Sequence, residues 1–272
     1  MLSKLLKYEF RDTSRTIPLF YLITLIFAGI VLSAKKVGIE WFTITSSLLL
    51  LLLGIAVAII TLAVVVMRFY KNFYSNEGYL MFTLPVKPHV LLASKFLVSF
   101  TWLILSYGAC IGAFFISMYG FGVSGELKDI VEELERFGLQ NIFYAIIPLV
   151  ILSTLYLLAQ IYFAITIANR PAFHGIGVAS AFLVFLATNV ILQLVEAIFT
   201  IFVPFSVNIN LMEEVSVSLS SKNMFGFLIN SMDGSNPQNI VIGLGGYIFE
   251  LFMVFILFYV TSQNMKNKVS IK

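Results

Sequence analysis

WFTITSSLLLLLLGIAVAIITLAVVVM, residues 41–67, runs for 27 residues without a charged side chain. An α-helix rises about 1.5 Å per residue and the hydrocarbon layer of a bilayer is about 30 Å thick, so roughly 20 apolar helical residues cross it. The stretch exceeds that length and is expected to tilt or to project beyond the bilayer. Five more stretches of the same character surround it, at 17–34, 96–122, 142–168, 173–203 and 240–261. With 60% hydrophobic and 11% charged residues and a mean hydropathy of +0.97, a soluble core does not explain the chain. The predicted fold class is all-α: a polytopic membrane protein of six transmembrane helices preceded by an interfacial helix over 1–16.

The polar remainder is small. The stretches 68–95, 123–141 and 204–239 are each too short for a catalytic domain of about 100 residues. The single cysteine, Cys110, lies in an apolar run, which leaves no intrachain disulfide framework. The first apolar run continues to Ala34 without a small-residue cleavage site, so it is expected to stay as a span. With the N-terminus inside, the inner segments 1–16, 68–95, 169–172 and 262–272 carry twelve of the 17 basic residues, against five outside. Acids show the reverse distribution. The excess of Lys and Arg on one side puts both termini in the cytoplasm of a cell-membrane protein.

Leu2, Leu5, Leu6 and Phe10 alternate with Lys4, Lys7, Arg11 and Arg15 at helical spacing, which predicts an amphipathic helix on the inner membrane surface. Such a basic arm is read as membrane-facing, with no nucleic-acid partner. Residues 123–141 pair Leu127, Ile130, Val131, Leu134 and Phe137 with five acids, an outer amphipathic helix whose acids are either a solvated face or a collector of cationic substrates. Asn169-Arg170-Pro171 predicts a tight inner turn joining spans 4 and 5, with His174 at headgroup level beside it. Within 204–239, the run from Phe225 to Ile229 is too short to cross and reads as re-entrant or interfacial.

The chemistry of soluble catalysis is missing. There is no GxxxxGK[ST] loop, HExxH, CxxC or GxSxG, and the two histidines are far apart in sequence. The chain is expected not to be an enzyme, to hold no metal and to carry no cofactor of its own. Two acids do fall inside spans, Glu196 and Glu250. A charge at membrane depth costs about 2.5–3.5 kcal/mol on insertion scales, so each is either part of a substrate path or gate, or a protonated or hydrogen-bonded packing contact. Gln193, three residues before Glu196, shares its helix face. Counting along the spans places Glu250 near mid-membrane and Glu196 closer to the outer side.

The most individual stretch is RFYKNFYSNEGYLMFTLPVKPHVLLASKFL, residues 68–97. Ser75-Asn76-Glu77 opens a short helix, Gly78 interrupts it, and Pro85 and Pro88 bracket a turn. Leu80, Phe82, Leu84 and Val86 are apolar in a segment that must be cytoplasmic. They form either an amphipathic segment against the span ends or a docking surface for a partner.

The succession Glu77-Gly78-Tyr79-Leu80, Thr83-Leu84-Pro85-Val86, Leu91-Leu92 and Ser94-Lys95 resembles the inner-loop signature of type-2 ABC exporter permeases, where an E-G-[TY]-L turn and an L-P-[VL] step follow span 2. The plan of an interfacial helix, six spans, internal termini and a long outer segment between spans 5 and 6 matches over nearly the whole chain. The resemblance implies a single transmembrane permease domain over 1–272. Residues 71–92 would hold a short cytoplasmic coupling helix that docks on an ABC ATP-binding subunit through Glu77, Gly78, Tyr79, Leu80, Phe82, Leu84 and Pro85. It implies two copies of that subunit, which would bind ATP and Mg, a second permease copy or paralogue, and an export path between the permeases. Tyr79 stands where Thr is usual, Phe69–Tyr74 is unusually aromatic, and no large extracellular domain is present. The wording from Tyr79 to Phe82 is closest to permeases that export antimicrobial peptides or other amphiphiles. The rival readings are a proton-coupled secondary transporter using Glu196 and Glu250, and a non-transporting membrane scaffold or immunity protein.

Overall fold

Among the described residues of the computed structural model, six helices are long and apolar enough to cross a membrane, and an amphipathic helix precedes them. The structure describes residues 2–75, 78, 86–123, 125, 140–170, 179–210, 216–221, 223–226, 229 and 239–267. The chain divides into two compact units, residues 1–129 and 130–269, with the last three residues grouped with the first unit.

The first unit holds α1 (Leu2–Thr13), α2 (Ile17–Val37), α3 (Glu40–Tyr74) and α4 (Pro88–Phe121). Local chemistry sets the ends of these helices. Pro18 and Pro88 lie in first turns, where an absent amide costs no hydrogen bond. Gly38 and Gly122 terminate α2 and α4 with φ of +79° and +84°, a left-handed conformation that glycine adopts without Cβ strain. At the end of α4, Lys35 Nζ donates to the Gly120 carbonyl at 3.3 Å and lies over the Tyr119 ring. It supplies a cation where helix carbonyls lack partners.

At 35 residues α3 is about 52 Å long, well beyond the hydrocarbon layer. The sequence reading ends the second span at Met67 because Arg68 follows, yet the helix continues to Tyr74. Its last two turns are amphipathic: Phe69, Asn72, Phe73 and Tyr74 are buried while Lys71 is exposed, and the Phe69 and Phe73 rings meet edge to face at 5.1 Å. Within the bundle, the Tyr21 hydroxyl lies 2.8 Å from Ser106 Oγ, which donates to Thr61 Oγ1 at 2.8 Å. This relay crosses α2, α4 and α3. Glycines allow close helix approach nearby, since a Cβ on Gly54 would stand 2.8 Å from the Ala113 Cβ.

The helix α1 is amphipathic as expected, but its apolar face packs on protein. Leu6 and Phe10 lie against Ile17, Val98 and Trp102, and Trp102 Nε1 donates to Thr13 Oγ1 at 2.8 Å. A charged cluster completes the attachment. Lys95, 4% exposed, donates to Glu9 at 2.5 Å and lies 5.3 Å from the centre of the Phe73 ring. Arg68 pairs with Asp12 and lies 3.6 Å from Glu9. Basic residues on α3 and α4 thus hold both acids of α1.

The second unit holds α5 (Gln140–Ala168), α6 (Ala179–Phe202), β1 (Ser206–Asn210), β2 (Ser216–Ser220), β3 (Asn239–Gly243) and α7 (Gly245–Asn267). The strands form a small antiparallel sheet in the order β2-β1-β3, with Ser206 opposite both Ser220 and Gly243. The sheet departs from the all-α expectation. It occupies part of the outer segment 204–239, outside the run 225–229 read as re-entrant or interfacial, and takes residues 240–243 from the expected sixth span. Its physical basis is alternation: Ser-Val-Asn-Ile-Asn and Ser-Val-Ser-Leu-Ser have the period of two that a pleated strand needs. Met224–Gly226 form one helical turn, and Phe225 stacks on Phe202 at 5.3 Å. At the other end of the unit, Asn169 Nδ2 caps the Ile165 carbonyl at 2.8 Å and Arg170 donates to Asn264 of α7. The remainder of that predicted turn, with His174, and the outer amphipathic helix over 123–141 lie largely outside the described residues.

Removing one partner from a buried ion pair strands the other charge, at a cost of about 3–5 kcal/mol. Glu9→Ala is therefore expected to lower the thermal unfolding temperature in detergent markedly, and Glu9→Ala with Lys95→Met to regain most of the loss. Equal destabilisation by the single and double variants would remove this pair from the account of how α1 is held.

Candidate functional site: a polar groove among three spans

The unit formed by α5, α6 and α7 encloses a groove of about 550 Å³. Helix geometry gathers its polar groups. On α6, Asn189, Gln193, Glu196 and Thr200 are separated by four, three and four residues and so share one face. On α5, Ser153, Tyr156 and Gln160 follow the same rhythm. The third helix, α7, contributes Glu250, which is 6% exposed. Leu157, Ala197, Ile201 and Met224 supply the apolar part of the wall.

Several of these side chains are oriented by neighbours. Ser153 Oγ lies 3.0 and 3.2 Å from the two Glu250 carboxylate oxygens, so its single proton can serve either. Gln160 is buried, and its Oε1 accepts from Asn189 Nδ2 at 3.1 Å. Thr200 Oγ1 donates back to the Glu196 carbonyl at 2.9 Å. Tyr156 differs. Its hydroxyl is buried without a partner in hydrogen-bond geometry, next to Gln160 and within electrostatic reach of both carboxyl groups. Among the described residues, no basic side chain lines the groove.

Glycine sets the approach of α7 to α6. A Cβ on Gly246 would lie 2.5 Å from Thr200 Oγ1 and 3.3 Å from Glu196 Cγ. On Gly245 it would overlap the Phe199 carbonyl, and on Gly243 the Thr200 carbonyl. Residues 243–246 therefore run directly against the end of α6, which brings Glu250 into the groove that Glu196 lines.

Glu196, Gln193 and Glu250, the polar residues singled out in the spans, thus converge on one site. The position of Glu250 along its helix differs from the expected one. Because β3 takes residues 240–243, α7 begins at Gly245, and Glu250 lies about 7.5 Å along it, not at its middle. Glu196 lies about 9 Å from the end of α6, so both carboxyl groups sit towards the helix ends that join the sheet. Sequence reasoning missed Tyr156, Gln160 and Asn189. A helical plot of polar residues within 142–168 and 173–203 carries the signal, since their three- and four-residue spacings survive in strongly apolar surroundings.

Of the residues assigned to a docking loop, Glu77, Tyr79, Leu80, Phe82, Leu84 and Pro85 lie outside the described residues. Gly78 is described and buried. Its N–H donates to the Ser75 carbonyl at 2.7 Å, and a Cβ there would stand 2.5 Å from the Phe73 carbonyl oxygen. Only glycine allows this closeness to the end of α3.

Comparison with protein-family models, with curated proteins and with solved structures finds no match to the chain.

If close contact at residues 243–246 builds the groove, Gly245→Ala should overpack the α6–α7 junction and cost about 1–3 kcal/mol. Gly29→Ala, where no atom lies within 4 Å of the added methyl group, serves as the control. Thermal unfolding in detergent reads both, and equal midpoints would show that the junction tolerates a side chain.

Proposed function

We propose that this chain is the membrane-spanning subunit of an ATP-driven exporter of the type-2 ABC permease kind, with ATP bound and hydrolysed on a separate subunit. The observation that carries the reading is the braced end of α1, α3 and α4. The segment 75–87 joins the last residues of α3 to the first of α4, with Gly78 pressed against Phe73. On the same two helices, Lys95 and Arg68 hold the acids of α1. Force applied to this segment passes into two long helices, and the brace prevents their ends from yielding separately.

In this proposal both termini and the 75–87 segment face the cytoplasm, as the distribution of basic residues favours. Two ATP-binding subunits serve two permeases, the second being another copy or a paralogue. Each nucleotide state of the partner prefers a different arrangement of the spans, which is what lets hydrolysis drive transport. Antimicrobial peptides or other amphiphiles are the substrate class suggested by the loop's wording. A second reading draws on the groove: Glu196 and Glu250 would titrate in a proton-coupled carrier that needs no ATPase.

Pull-down from native membranes in mild detergent tests the main reading. An ATP-binding protein is expected to copurify with the wild type. Glu77→Ala and Gly78→Pro should insert normally yet lose that protein or uncouple its ATPase activity from transport. Normal ATP-dependent export in both variants would refute docking at this segment, and transport driven by a pH gradient without any ATPase would establish the carrier reading instead.

A further inference from the structure

The groove among α5, α6 and α7 has a composition that selects its ligand. We propose that it binds an organic cation, a protonated amine carried on an apolar body, through Glu196, Glu250 and Tyr156. The inference deepens the transport reading by naming a substrate class, and it rests on that reading only for the direction of movement.

Charge is the first argument. Two carboxyl groups from different helices line one groove, and no described lining residue is basic. An ionised carboxylate at membrane depth is stable beside a cation or water, so an entering cation is the complement these walls lack. Size and lining form the second. A volume of about 550 Å³ lies in the range of small-molecule sites and far exceeds what a bare metal ion fills. The described residues contain no cluster of three acidic, histidine or cysteine side chains suited to hold a metal. Leu157, Ala197, Ile201 and Met224 give an apolar body something to pack against.

The Tyr156 hydroxyl is the third and most specific argument. Tyr156 is 6% exposed, and its buried hydroxyl meets no partner in hydrogen-bond geometry, with Gln160 near enough to interact with it. A buried polar group left unpaired costs about 1–3 kcal/mol, and such groups in folded proteins usually mark a partner supplied from elsewhere. The N–H of an ammonium group between the two carboxylates donates to this oxygen. The neighbouring groups are already set: Ser153 orients Glu250 and Asn189 orients Gln160. A site whose walls are held by hydrogen bonds loses less entropy when its ligand arrives.

The test uses the full-length chain in lipid nanodiscs with dansylcadaverine, a primary alkylamine on an apolar fluorophore, and with its N-acetylated form, which keeps the body and loses the charge. Binding is read by equilibrium dialysis and corrected with empty nanodiscs. The amine should bind saturably and the acetylated form about tenfold more weakly or worse. Combined Glu196→Gln and Glu250→Gln should weaken amine binding by a similar factor, and Tyr156→Phe should weaken it severalfold without lowering the unfolding temperature, since it removes an unpaired buried hydroxyl. Absence of saturable amine binding to the wild type, equal binding of the acetylated form, or undiminished binding by the folded double variant would overturn the proposal. Should the double variant fail to incorporate, the acetylated probe on the wild type decides alone. The assay contains no ATP-binding subunit, so its failure leaves the docking reading standing, and a failed pull-down leaves this one.

Discussion

Hydrocarbon offers no hydrogen-bond partner, and every polar group placed in it must find one within the protein. For the backbone that demand produces the six apolar helices, since a helix satisfies its amides internally. Side chains meet the demand in three ways. Ser46, Ser47 and Thr43 turn back to carbonyls of their own helix. Tyr21, Ser106 and Thr61 bond across helices. The carboxyl groups of Glu196 and Glu250 face a shared groove.

The two units meet the demand with different consequences. In the first, each charge of the Glu9, Asp12, Arg68 and Lys95 cluster has an opposite partner, and the result is a fixed end. In the second, two acidic side chains line one groove without described basic neighbours, and a buried tyrosine hydroxyl meets no partner in hydrogen-bond geometry. The first cluster is balanced within the described residues, and the second is not. The mechanical end and the polar groove therefore invite separate experiments.

Much of this was legible in the chain because membrane insertion imposes a coarse rule. Runs of about 20 apolar residues announced the helices, and the spacing of Leu6 and Phe10 announced α1. Glu196 and Glu250 stood out because acids in such runs are rare. Other features depend on distance in space and were hidden. Lys95 reads as the last residue of the inner segment 68–95, and nothing local says that Glu9, 86 residues earlier, pairs with it. The sheet was overlooked for a different reason. Its strands have five residues each, and a search for long apolar runs passes over a two-residue alternation. That oversight displaced the start of α7 and with it the position of Glu250 along the helix.

The small sheet also ties two spans together. Only three residues separate the end of α6 from β1, and one separates β3 from the start of α7, while β1 and β3 are hydrogen-bonded along their length. The ladder acts as a yoke on the two helix ends. Neither helix can twist or ratchet far along its axis without dragging the other, although 42 residues of chain lie between them. Glu196 and Glu250 are consequently harnessed in tandem, and a stroke that displaces one acid carries its counterpart with it.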